Sequence, residues 1–273
     1  AMKLSIITIN LNNRDGLTKT IQSVLSQSYG NFEFIIIDGE SGDGSVDCIR
    51  EAKRQFPSLY WISEPDSGVF NAMNKGIRLA QGDYLLFLNS GDSLVDKDVL
   101  EHVFSSDYST DILLGIAWVT KQGDLIWRAY PKNEYTLNDF YYGSLAHQAA
   151  FIKKDMFDRF GLYREDLRFM SDWEFFLRTY IINRCTLTPL DIVICDYDAE
   201  GISSDKRNSS AIAYERQVVY KDLGLDRIIP DYSERDKWLA AHEPLLWACN
   251  QPILNKMIVW LYRLAQKIVK VSR

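Results

Sequence analysis

Cysteine is sparse in this chain: four in 273 residues, far apart, with no C-x-x-C pair. That excludes a disulfide framework and a cysteine-built zinc site, and it points to a reducing compartment such as the cytosol. No run of eighteen apolar residues occurs, so no membrane-spanning helix is expected. Leu4–Ile9 is also too short an apolar stretch for a signal peptide. Basic residues are outnumbered, 31 against 37, and the formal net charge of −6 argues against broad nucleic-acid binding. There is no Walker A sequence, and Gly39, Gly42 and Gly44 do not make G-x-G-x-x-G. P-loop and dinucleotide-binding readings therefore fail. No internal repeat or low-complexity segment appears.

What is present is a regular alternation of short apolar runs and amphipathic segments. Leu4–Asn10, Phe32–Asp38, Tyr60–Ile62 and Tyr84–Leu88 read as strands. Between them, Leu17, Ile21, Val24 and Leu25 recur at helical spacing, with Asn13 or Asp15 as N-cap. Val46, Ile49 and Phe56 mark a second helix. Phe70, Met73, Ile77 and Ala80 mark a third, ended by Gly82. This alternation predicts an α/β fold with a mostly parallel central sheet and helices on both faces.

After Asp92 the rhythm becomes mixed. Ile112–Thr120 and Leu125–Arg128 read as a hairpin across "KQGD", and Phe151–Lys153, Cys185–Leu187 and Ile192–Tyr197 as further strands. Trp173, Phe176, Leu177, Tyr180 and Ile181 form an amphipathic helical stripe. One domain over 1–225 is expected, with halves of about 1–92 and 93–225, followed by a helical C-terminal extension over 226–273.

In such sheets ligands bind beyond the carboxyl ends of the strands, where Asp38 and Asp92 fall. Taken alone, both are equally turn-initiating or turn-capping aspartates. Asp43 reads as a structural turn residue, and Lys75 as a solvated helix lysine. Asp172 and Glu174 lie in Ser171-x-x-Glu174, which fits a capping box. His147, one of three histidines, has a structural reading as well.

Four blocks in order carry a resemblance: "LSIITINLNNRDGLTKTIQSVLSQSY", "FIIIDGESGDGS", "EPDSGVFNAMNKGIRLAQGDYLLFLNSGD" and "FMSDWEFFLR". Over residues 3 to about 205 the chain resembles family 2 glycosyltransferases of the GT-A fold, most closely bacterial enzymes of surface-polysaccharide assembly, the colanic-acid type included. The resemblance implies an inverting enzyme that moves a sugar from a nucleotide diphosphate, a UDP-sugar favoured, to a hydroxyl of a glycan or lipid-linked acceptor. It implies donor contacts from Thr8, Asn10, Asp38, Asp66, Asn74, Lys75 and Asn89, with Asp38 on the imide N–H of uracil. Asp172 takes the place of the family's general base. "LNSGD" stands where the family has D-x-D, but Asn89 and Gly91 replace two acids and Asp92 alone remains. The implied cofactor is Mn²⁺ or Mg²⁺ held by Asp92, with His147 as a further candidate ligand. "GISSDKR" (Gly201–Arg207) resembles a loop that closes over the donor.

Two other readings stay open. A nucleotidyltransferase would need a basic, Gly-rich phosphate loop, of which "INLNNRDG" is a poor version. A nucleotide-sugar-binding protein without catalysis would explain the eroded acidic motif.

The C-terminus carries its own signal. From Lys256 to Arg273 there are five basic residues and no acidic one, with Met257, Leu261, Leu264, Ala265 and Ile268 on one helical face. Such a helix suits a membrane interface, which would make the protein peripheral on the inner face of the membrane. Packing on its own domain or on a second copy of the chain is the alternative.

Overall fold

The computed structural model describes residues 3–121, 123–199 and 206–271. Two compact units appear, 1–216 and 217–273.

The first unit is built on one mixed sheet. β1 (Leu4–Asn10), β2 (Phe32–Asp38), β3 (Tyr60–Ser63) and β4 (Tyr84–Phe87) are parallel, in the order β3-β2-β1-β4. β1 and β4 are apolar on both faces because helices cover both. Those helices are α1 (Arg14–Leu25), α2 (Ser45–Gln55) and α3 (Val69–Leu79). Asn13 caps α1, its Oδ1 accepting from Gly16 N. α3 lies very close to β1: a Cβ on Gly76 would sit 2.4 Å from Ile7 Cγ2.

Beyond β4 the sheet is no longer mostly parallel. β8 (Ala150–Lys153) runs antiparallel to β4 and to β6 (Ile112–Lys121). β9 (Leu187–Asp198) is parallel to β6, and β5 (Ser93–Leu94) antiparallel to β9. β7 (Asp124–Ala129) pairs antiparallel with β6 off the main path. Four short helices fill the connections: α4 (Val99–Phe104), α5 (Leu137–Tyr142), α6 (Asp155–Phe160) and α7 (Ser171–Phe176). α8 (Ser209–Asp222) straddles the division at 216/217.

Three expectations need correction. Gly82 does not end α3, which stops at Leu79 with Ala80 as C-cap. Gly82 is there for close approach, since a Cβ would lie 2.6 Å from the backbone N of Ser5. The strands read at Cys185–Leu187 and Ile192–Tyr197 are one strand, β9. Pro189 is tolerated inside it because the ladder with β6 shifts register between Leu114 and Ile116. The helix read through Ile181 is α-helical only to Phe176 and continues as a π-helical stretch, Leu177–Ile182.

The second unit contains α9 (Ile229–Cys249) and α10 (Pro252–Val271). Among its described side chains, Trp247, Ile253, Trp260 and Tyr262 are each more than 60% exposed.

Candidate active site

The carboxyl ends of β1, β2 and β4 converge. Asp38, the last residue of β2, is fully buried, and all four of its acceptor positions are filled. Oδ1 accepts from Asn10 Nδ2 (2.8 Å) and Ser41 Oγ (2.7 Å); Oδ2 accepts from Ser41 N (2.9 Å) and Ser63 Oγ (2.7 Å). Burial works to raise its pKa, but the bonds from Ser41, Ser63 and Asn10 hold it below the ordinary value. Asn10 keeps a buried Oδ1 with no partner, while Thr8 is engaged, its hydroxyl donating to Leu88 O at 2.7 Å. Asp43 has the structural role expected of it, accepting from Arg14 N and from both N and Oγ of Ser45.

Asp66 reaches this pocket. Its Oδ2 lies 2.7 Å from the Cβ position at Gly39, so a side chain after Asp38 would displace the Asp66 carboxylate. Lys75 acts on the same loop from α3: Nζ donates to Pro65 O (2.8 Å) and pairs with Glu64 (2.9 Å). Asn74 is held inside the fold. It is 1% exposed, and its amide is used up by Tyr163 N, Tyr163 O and Glu165 Oε1 at 2.9–3.0 Å. It clamps α3 to the 163–165 segment.

Between β4 and β5, immediately before Ser93, Asp92 is 4% exposed and among the described residues accepts one hydrogen bond, from Asp198 N at 3.1 Å. Burial pushes its carboxyl up to about 7, against the weaker pull of that bond and of the charges on His147 and Lys19. Nearby, Asn89 Oδ1 is buried without a partner. A desolvated carboxylate with one donor suits a cation. Among the described residues, no group of three His, Cys, Asp or Glu side chains is arranged to hold a metal. A cation here would rest on Asp92 and one further group, completed by diphosphate oxygens.

His147 stands on the 3-10 turn His147–Ala149 after α5. Its Nδ1 lies 2.9 Å from Asp172 Oδ2, and its buried Nε2 has no partner. Burial works against the charged imidazole, yet the hydrogen bond to Asp172 and the charges of Asp172 and Asp92 hold its pKa above the ordinary 6.5. A carboxylate on one imidazole nitrogen that leaves the other open is a common arrangement for a metal-binding histidine. Tyr163, buried with its hydroxyl unpartnered, lies close enough for the charge on Asp172 to raise its pKa further.

Asp172 sits in the first turn of α7. The capping box expected there is absent: Met170 is the N-cap, Ser171 Oγ has no partner, and Glu174 turns away to Arg178 Nε at 2.6 Å. The loop is fixed instead by Glu215 of α8, whose carboxylate accepts from the backbone N–H of Arg168, Phe169 and Met170 at 2.8–3.0 Å. Sequence reading missed Glu215. The only available signal was an acid in a helix of weak amphipathicity, some forty residues from its partners. Of the loop read as "GISSDKR", residues 201–205 lie outside the described residues.

A sheet that gathers carboxylates at its strand ends beside an aspartate–histidine pair is a transferase-type site on a GT-A fold. The family model "Glycosyl transferase family 2" matches residues 5–168, and the chain belongs to that family and is a glycosyltransferase. It is 32% identical to an uncharacterized glycosyltransferase of Mycobacterium tuberculosis over 80% of this chain and 83% of that one. A PGL/p-HBAD biosynthesis glycosyltransferase of Mycobacterium bovis is 29% identical, over 74% and 78%. Among solved structures, S. aureus TarS 1–349 in complex with UDP-GlcNAc superposes with a TM-score of 0.59 at 22% identity, over 75% of this chain and 61% of that one. The match spans only 37% of the longer TarS chain. A Pyrobaculum calidifontis mannosyltransferase, solved with GDP-Man and Mn²⁺, gives 0.56 at 16% identity, over 97% and 81%.

Proposed function

We propose that this glycosyltransferase moves a sugar from a nucleotide diphosphate, a UDP-sugar by preference, to a hydroxyl of a glycan or lipid-linked acceptor, with inversion at the anomeric carbon. The observation that carries the reading is the Asp172–His147 pair set beside buried Asp92 at the strand ends. His147 occupies Asp172 Oδ2, and Oδ1 accepts no hydrogen bond among the described residues. That oxygen takes the acceptor's proton as the acceptor oxygen bonds to C1 of the sugar. The bond from C1 to the diphosphate oxygen breaks on the opposite face, and the nucleoside diphosphate leaves. Glu174, held by Arg178, offers no second carboxylate for a double displacement.

Asp92 and His147 Nε2 are the residues that would hold Mn²⁺ or Mg²⁺, and such an ion offsets negative charge on the diphosphate. Asn10, Asp38, Asp66 and Asn89 line the nucleoside side. A uracil imide reaching Asp38 takes the place of the Ser41 hydroxyl on Oδ1. Support for a UDP-sugar comes from the UDP-GlcNAc complex of TarS, which shares the fold. Support for a role in polysaccharide assembly comes from a local likeness, 38% identity over 99 residues, to a putative teichuronic acid biosynthesis glycosyltransferase of Bacillus subtilis.

The test is nucleoside diphosphate release from UDP-, GDP- and dTDP-sugars with Mn²⁺, with and without EDTA. Release confined to UDP-sugars and lost in Asp172→Asn supports the reading. Saturable binding with no turnover in the native chain marks a binding protein instead.

α10 supports a finer reading, attachment to a membrane surface. Residues 244–273 contain no acidic side chain. Ile253, Met257, Trp260, Leu261 and Leu264 are exposed along α10, and no described helix is long and apolar enough to cross a membrane. Of the basic residues, Lys256 and Arg263 have described side chains; those of Lys267, Lys270 and Arg273 lie outside the described residues. A basic, aromatic amphipathic helix of this kind lies in the plane of an anionic lipid surface. Co-sedimentation with phosphatidylglycerol vesicles but not with phosphatidylcholine alone is the expected result. A concentration-dependent dimer that ignores both would assign the helix to a second copy.

A further inference from the structure

A second concavity, of about 400 Å³, lies apart from the strand-end carboxylates, between β7 and α5. That volume is in the range of small-molecule clefts. Its wall includes Trp127 on β7, Tyr130 just after it, Tyr142 at the end of α5, and Asn138, Asp139 and Ala146. Trp127, Tyr130 and Tyr142 are 58%, 61% and 58% exposed. Three large rings, each more than half exposed around one cleft, are poorly explained as core even though Tyr142 also packs edge-on to Tyr141, and they mark a surface that takes a ligand. Among the described residues β7 pairs with β6 alone, as an edge strand, and Trp127 and Ala129 both face the cleft, as a two-residue period requires.

The frame behind these rings is fixed. Thr136 and Asp139 form a capping box at the start of α5. Asp139 also accepts from Lys132 Nζ at 2.6 Å, which neutralises the cleft's lysine. Tyr135 packs edge-on to Phe140 and Tyr180. Trp173 Nε1 donates to Phe140 O at 3.0 Å and so ties α5 to α7, the helix that carries Asp172. Ala146, on the lip of the cleft, immediately precedes His147, which holds Asp172.

The chemistry of the wall selects its ligand. With Lys132 paired to Asp139, a phosphate or other anion has no free cation here among the described residues. Exposed aromatic faces bind apolar faces, while the phenol of Tyr130 adds a hydrogen-bonding group at the same wall. A pyranose combines those two demands: one face of C–H bonds and a rim of hydroxyls.

We propose that this cleft is the acceptor subsite, and that it holds a neutral pyranose ring of the acceptor glycan against Trp127, Tyr130 and Tyr142 while a hydroxyl of the same glycan reaches Asp172. The proposal rests on the glycosyltransferase reading above. The test is saturation-transfer-difference NMR on the full chain with defined neutral oligosaccharides, namely lactose, cellotriose, maltotriose and chitotriose. At least one should receive saturation at its ring C–H protons. Trp127→Ala should weaken that binding at least tenfold, and Trp127→Phe, which keeps a ring, should restore most of it. An unchanged melting temperature, and an unchanged thermal shift with UDP-GlcNAc, will show that the variants are folded with an intact donor site. No saturation transfer to any of the four, or equal binding by the native chain and Trp127→Ala, overturns the proposal. UDP-sugar turnover to water is measured separately on the native chain. Its absence would remove the transferase reading while leaving a carbohydrate-binding cleft standing on the NMR result.

Discussion

His147 Nδ1 lies 2.9 Å from Asp172 Oδ2, and this contact joins the turn after α5 to the first turn of α7. One carboxylate oxygen is thereby fixed, and on the proposed mechanism the other takes the acceptor's proton. Asp172→Asn keeps the shape of the side chain and removes its basicity. Its turnover number is expected to fall by roughly 10²–10⁴-fold with KM for the UDP-sugar little changed. Steady-state UDP release measures both constants, and near-native turnover would remove Asp172 as the base.

The two imidazole nitrogens can be separated by substitution. His147→Asn retains a donor close to the position of Nδ1 and lacks Nε2; His147→Gln places its amide near Nε2 and gives up the bond to Asp172. The Mn²⁺-induced rise in melting temperature should shrink in the Asn variant, with apparent Mn²⁺ affinity down by about 10–100-fold. Turnover at saturating Mn²⁺ should fall more in the Gln variant. Equal Mn²⁺ shifts in both variants and the native chain would take His147 out of the cation site.

Much of the donor half was legible because its signals are local. β1 and β2 appear in the sequence with their observed ends, since isoleucine-rich runs that stop on Asn10 and Asp38 have no other reading. Asp38 was recognisable as a strand-end acid for the same reason, whereas Asp92 lies five residues past the end of β4 and just before β5. The clamp that Asn74 makes is not legible there, because its partners, Tyr163 and Glu165, lie about ninety residues away and nothing near Asn74 announces them. The pairing of His147 with Asp172, and the absence of a cap at Ser171, depend likewise on contacts that only the tertiary fold supplies. Two strands were expected where β9 is one, and the register shift that accommodates Pro189 within it is set by β6.

Asp92 makes stability and function oppose each other. Its pKa rises on folding from 3.8 to about 7, so the folded chain binds the extra proton. The associated stability is fully present below pH ~4 and is lost as pH rises through about 7, by up to about 4 kcal/mol. At pH 8 without metal, Asp92→Asn should therefore melt higher than the native chain, and the difference should narrow by pH 5.5. The same variant should lose its Mn²⁺-induced thermal shift. Thermal melts across pH 5–8, with Mn²⁺ and with EDTA, give both readings; an Asn variant that melts lower at pH 8 would contradict the buried, poorly compensated carboxylate.

Glu215 supplies the last test. Three consecutive backbone N–H groups, of Arg168, Phe169 and Met170, donate to its carboxylate, and the next residues open α7 and carry Asp172. No side chain caps α7, so the placement of Asp172 depends on this carboxylate from α8. Glu215→Ala leaves three N–H groups without their acceptor and should cost about 2–4 kcal/mol of stability. Glu215→Gln, which keeps one oxygen acceptor, should recover part of that. If the role is positional, the Gln variant, assayed where it is fully folded, should lose turnover several-fold at unchanged KM for the UDP-sugar, because the donor side of the site rests on β1, β2 and β4. A Gln variant with native turnover and only a lower melting temperature would confine Glu215 to holding the fold.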